Sequence, residues 1–84
     1  MKVSEYILNT LQKKYTIDKD VDIKNLNYVE SGYIDSIGII QFIVEMEAEF
    51  GIEFTDDDIE SPSFRIVGEL IKLVERKVMD NEKH

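Results

Sequence analysis

Residues 33–54 read YIDSIGIIQFIVEMEAEFGIEF, and the spacing of their apolar side chains decides the fold. Set at 100° steps, Ile39, Phe42, Ile43, Met46 and Phe50 gather on one side, a stripe wide enough to bury a helix. Gly38, Glu45 and Glu49 lie roughly opposite and are expected to face water. Between these sides Ile37, Ile40, Gln41, Val44, Glu47 and Ala48 make a third face, half apolar with an acid at its edge. Gly51 supplies the residue that turns left-handed after the last turn. The third face has two readings. Leu26, Tyr28 and Ile59 are available to cover it, or it stays open as a strip on which another protein docks.

Working outward, Val3, Ile7, Leu8, Leu11 and Tyr15 recur at steps of three and four, which predicts an amphipathic helix starting near Ser4 and fading by Thr16. Residues 16–35 lack a helical period, but Leu26, Val29 and Ile34 can anchor a long loop over the core, and a loop of that length is often functional. Thr55 and Asp58 form a variant capping box for a short third helix, whose first turn holds Asp56, Asp57 and Asp58. Pro62 ends it. Ser63 is the expected cap of a final helix, with Phe64, Val67, Leu70, Ile71, Val74 and Val78 in one stripe. The expected fold is an all-α four-helix bundle, three longer helices and a short third one, with a long loop between the first and second.

The 84 residues carry a net charge of −8, unevenly distributed. No Lys or Arg occurs from Asn25 to Phe64, a block with ten acids and a charge of −10, which leaves +2 for the rest. That block repels nucleic acid and favours encounter with a basic protein surface. There is no cysteine, which excludes disulfides, cysteine-based zinc sites and a protein thiol nucleophile. The one histidine is the last residue, His84, expected to be solvated, so a histidine-centred dyad is not expected. No apolar run approaches the ~20 residues that span a bilayer, and the first residues do not read as a signal peptide. The expected location is the cytoplasm.

Asp18, Asp20 and Asp22 alternate like the first half of an EF-hand loop. The glycine and the bidentate glutamate that such a loop needs are replaced by Ile23 and Val29, so no calcium site is expected. Ser36 is the more informative hydroxyl. It stands at the start of the second helix, where unpaired N–H groups and the helix dipole favour a phosphate. Asp35, directly before it, is as good a cap as serine, so Ser36 need not serve as one.

The run Asp35-Ser36-Ile37, opening an amphipathic helix closed by EAEFGIEF, resembles the phosphopantetheine attachment region of acyl and peptidyl carrier proteins. The likeness covers almost the whole chain, since the helices, loop and motif fall in the family's order. It implies a single carrier domain over 1–84, which is not an enzyme and carries no catalytic or metal-binding residue. It implies that a phosphopantetheinyl transferase, with magnesium and coenzyme A, attaches 4′-phosphopantetheine to Ser36. The arm's thiol then holds an acyl or aminoacyl cargo as a thioester. The same resemblance assigns partner docking to Asp35, Ile37, Ile40, Gln41, Val44 and Glu47, used by a monomer to meet loading and processing enzymes with basic surfaces. Carriers of fatty acid synthesis commonly have acids where Gly38, Gln41 and Ala48 stand, and the Asp-Ser-Ile-Gly form is closer to stand-alone specialised carriers, including D-alanyl carriers. A cargo cavity between the helices would draw on Val44, Met46, Ile59 and Ile71. The other class of reading is an unmodified helical interaction domain docking through the same face.

Overall fold

In the computed structural model the described residues are 2–15, 17 and 22–82; the expectations at Asp18, Asp20 and His84 lie outside them. Among these residues the regular elements are four α-helices and two short 3₁₀ turns: α1 (Val3–Lys14), α2 (Ser36–Phe50), α3 (Asp56–Glu60) and α4 (Val67–Glu82), with the turns at Ile23–Asn25 and Pro62–Arg65. The all-α fold expected from the apolar periods is the fold observed.

In α1 the three-and-four spacing buries Ile7 and Leu11 completely, while Lys13 and Lys14 sit at the negative end of the helix dipole. Its start differs from expectation. Ser4 lies inside the helix, Lys2 occupies the cap position without a side-chain bond, and the Tyr6 N–H donates to the Lys2 carbonyl at 3.1 Å. Val3 packs against the core and so belongs to the first turn.

The core face of α2 is the expected one: Phe42 and Met46 are fully buried, and Ile39, Ile43 and Phe50 are partly so. Gly51 has φ 65° and ends the helix. Its N–H and that of Ile52 donate to the Glu47 carbonyl at 2.9 and 3.3 Å, satisfying an acceptor that the helix end would leave open. Gly38 was expected in water but is buried. Tyr15 donates its hydroxyl to the Gly38 carbonyl at 3.2 Å, and a Cβ on Gly38 would stand 3.0 Å from Ile34 Cγ2. The chain's own α1 and loop make the close approach that glycine permits here.

The loop between α1 and α2 is pinned by a residue that periodicity does not single out. Tyr28 is fully buried, its ring edge-on to Phe42 at 6.2 Å, whereas Leu26 and Val29 are half-buried and Ile34 is buried. On either side of an isolated bridge between Asn27 and Ile66, the Tyr28 N–H donates to the Arg65 carbonyl and the Val67 N–H to the Leu26 carbonyl, each at 3.1 Å.

That bridge corrects the start of the last helix. Ile66 is extended (φ −103°, ψ 125°), so α4 begins at Val67 and not after a Ser63 cap. Pro62 opens a 3₁₀ turn instead, in which Ser61 accepts the Ser63 N–H at 3.3 Å and Phe64 points into the core. Val67, Leu70, Ile71 and Val74 are buried along α4 as expected. Gly68, in the first turn, passes so close to the loop that a Cβ would lie 2.8 Å from the Lys24 carbonyl oxygen. The capping box of α3 is formed as read: Thr55 Oγ1 accepts the Asp58 N–H at 3.1 Å and Asp58 accepts the Thr55 N–H at 2.9 Å.

Candidate functional site

The start of α2 combines an exposed hydroxyl with a helix end secured by other groups. Asp35 is the N-cap: its carboxylate accepts the Gly38 N–H at 2.7 Å, and its carbonyl accepts the Ile39 N–H at 3.0 Å. Ser36 is therefore not needed as a cap. Its side chain is exposed, and its hydroxyl has no hydrogen-bond partner among the described residues. The N–H groups of Ser36 and Ile37 likewise have no acceptor among them. Free donors at the positive end of a four-turn helix fit a phosphate ester on the adjacent oxygen.

A second support comes from the residue that follows α1. Tyr15, bonded to the Gly38 carbonyl, also lies edge-on to Phe42 with ring centroids 6.0 Å apart. Burial raises the pKa of its phenol, so the hydroxyl stays protonated and remains a donor. The first turn of α2 is held from within by Asp35 and from the side by Tyr15. Tyr15 entered the sequence reading only as the last apolar position of α1.

The third face of α2 is open. Ile37, Ile40 and Val44 are 68%, 63% and 57% exposed. The residues available to cover it are engaged elsewhere: Tyr28 is inside the core, and Leu26 and Ile59 pack against it. Val44, expected beside a cargo cavity, faces outward. Gln41 and Ala48 are exposed along the same side.

The acids are in two states. Glu45, expected in water, is half-buried and forms an ion pair with Lys14 that links α2 to α1. Asp58 bonds Lys77 Nζ at 2.7 Å, and that ammonium lies 5.7 Å above the Phe54 ring. Burial works to raise the Asp58 pKa, but the bonds from Lys77 and Thr55 outweigh it and hold the carboxyl below its ordinary value. Glu47 Oε2 accepts the Phe54 N–H at 3.0 Å, across the turn at Gly51. Glu49, Glu53, Asp56, Asp57 and Glu60 are exposed. Among the described residues no group of acidic or histidine side chains is arranged to hold a metal ion, and no helix is long and apolar enough to cross a membrane.

Among the described residues, the start of α2 thus places an exposed hydroxyl beside an open apolar strip. Comparison with known proteins gives the family. The family described as "Phosphopantetheine attachment site" matches residues 5–74. The chain is 31% identical over 68 residues to the acyl carrier protein of Lactobacillus acidophilus, covering 81% of this chain and 82% of that one. It is 28% identical over 75 residues to the D-alanyl carrier protein of Enterococcus faecalis, covering 89% and 96%. It is 22% identical over 76 residues to the acyl carrier protein of Rickettsia massiliae, covering 90% and 86%. The chain belongs to the phosphopantetheine-attachment family of carrier proteins. It is a carrier and not a catalyst, and its prosthetic group is a covalently attached 4′-phosphopantetheine.

Proposed function

We propose that Ser36 is the attachment point, and that the chain is a single carrier domain over 1–84 acting as a cytoplasmic monomer. It presents an acyl or aminoacyl cargo to partner enzymes. The observation that carries this reading is the exposed hydroxyl of Ser36 at the start of a helix already capped by Asp35. Installation joins Ser36 Oγ to the phosphorus of the pantetheine phosphate in coenzyme A. The pyrophosphate bond breaks, adenosine 3′,5′-bisphosphate leaves, and the hydroxyl proton passes to the transferase. The free N–H groups of Ser36 and Ile37 then face the phosphodiester. When bound, the arm supplies the thiol on which cargo is held as a thioester, a sulfur this chain lacks.

The docking face is Asp35, Ile37, Ile40, Gln41, Val44 and Glu47. Ile37, Ile40 and Val44 give it apolar area, and the cation-free block from Asn25 to Phe64 gives it a negative border. A phosphopantetheinyl transferase and loading or processing enzymes with basic surfaces fit that combination. The acyl carrier and D-alanyl carrier relatives support the acyl and aminoacyl cargo classes respectively.

The test is the intact mass of the wild type and of Ser36→Ala, before and after incubation with coenzyme A, magnesium and a broad-specificity transferase. A gain of one phosphopantetheine on the wild type alone is expected. A wild type that starts unmodified and refuses the arm from several transferases would leave an unmodified interaction domain as the better account.

A further inference from the structure

Glu47 lies on the edge of the proposed docking face, three residues after Val44 and seven after Ile40. An acid in that place reads naturally as a charge for a basic partner. Its surroundings differ from those of a free surface acid. The side chain is half-buried, and Oε2 receives the Phe54 N–H at 3.0 Å. The backbone carbonyl of the same residue receives the N–H groups of Gly51 and Ile52. One residue thus holds three donors of the α2–α3 connection, the N–H groups of Gly51, Ile52 and Phe54.

The far end of that connection is equally tied. Phe54 is edge-on to Phe64 at 5.5 Å and lies beneath Lys77, whose ammonium bonds Asp58, the acid of the α3 capping box. Phe54 and the first turn of α3 thus share Lys77 as a common contact. The Glu47–Phe54 bond ties residues 53–56, with exposed Glu53 and Asp56, to α2 at the Glu47 edge of its open face.

We infer that Glu47 is a positioning residue of the docking surface, acting through Phe54, and not a charge that partners read. This rests on the proposal that the open face of α2 docks the transferase. Glutamine keeps an acceptor for the Phe54 N–H but removes the charge, so the two roles separate cleanly.

The experiment compares wild type, Glu47→Gln and Glu47→Ala, first as apo-proteins by amide hydrogen exchange at Phe54. Each is then used as substrate of the transferase with coenzyme A, followed by intact mass, for KM and kcat. Positioning predicts that Glu47→Gln keeps Phe54 exchange within about twofold of wild type and escapes most of the KM rise of Glu47→Ala. Glu47→Ala raises KM and speeds Phe54 exchange by about tenfold, the scale of one lost hydrogen bond to a charged group, with kcat nearly unchanged. The inference is overturned if Glu47→Gln raises KM as much as Glu47→Ala while Phe54 exchange stays at the wild-type rate. It is also overturned if Glu47→Ala changes neither quantity. A wild type that gains no mass at Ser36 sinks the attachment proposal instead, and the exchange comparison still decides whether Glu47 holds Phe54.

Discussion

Tyr28 donates its hydroxyl to the carbonyl oxygen of Phe64 at 2.6 Å, across 36 residues of chain and in the interior. This bond and the Asn27–Ile66 bridge join the long loop to the turn before α4. Tyr28→Phe keeps the ring against Phe42 but leaves the carbonyl without that donor. It should cost about 1–2 kcal/mol in urea unfolding. Burial raises the Tyr28 pKa above its ordinary 10, with a smaller opposing effect of Arg65. Its contribution is therefore complete below pH 10 and is lost as the pH climbs toward the raised folded value.

Gly68→Ala offers a case where helix propensity and packing oppose each other. Alanine favours a helix over glycine by about 1 kcal/mol. The new methyl would stand 2.8 Å from the Lys24 carbonyl oxygen, a backbone atom that cannot rotate away. Overpacking of that kind costs about 1–3 kcal/mol, so the variant should unfold at lower urea than wild type despite its better helix former.

Acid should weaken the hold of α4 on α3. Because the folded pKa of Asp58 is lowered from 3.8, its stabilisation is present above that value and disappears as the pH falls through the folded one. The difference in urea midpoint between wild type and Asp58→Asn should be largest at neutral pH and shrink toward zero well below pH 3.8. A difference that does not change with pH would exclude the ion pair with Lys77 as its source.

Ile40→Ser separates docking from folding. The side chain is 63% exposed, so its loss should change stability by no more than about 0.5 kcal/mol. Burying an isoleucine in a complex stabilises it by about 1.5–3 kcal/mol, so the transferase KM should rise at least about tenfold. An unchanged KM would remove this face from the docking surface.

How far the chain's own pattern foretells these contacts depends on their range. The boundaries of α2 are written locally, by Asp35 before it and Gly51 after it, and the Thr55–Asp58 box is equally local. The strip Ile37–Ile40–Val44 can be drawn from the helical period, but the period leaves open whether Leu26, Tyr28 and Ile59 cover it, and the structure shows it exposed. The start of α4 is different, since Ile66 is pulled straight by a partner 39 residues earlier, Asn27. Nothing within reach of Ser63 records that. Gly38 and Glu45 differ from expectation for the same reason: Tyr15, just after α1, and Lys14, its last residue, come from far along the chain to meet them. Tyr28 belongs to an aperiodic segment, where no spacing marks a residue as central.

The bond from Tyr15 to the Gly38 carbonyl has a consequence for any cargo on Ser36. A tethered group samples a volume fixed by the length of its tether and by the wander of its anchor, and that volume sets its effective concentration inside a docked enzyme. Bracing the first turn of α2 through Tyr15 works against the second contribution. On the proposed attachment, the arm would be a flexible line on a braced pivot, with its reach set by chemistry that is the same for every cargo.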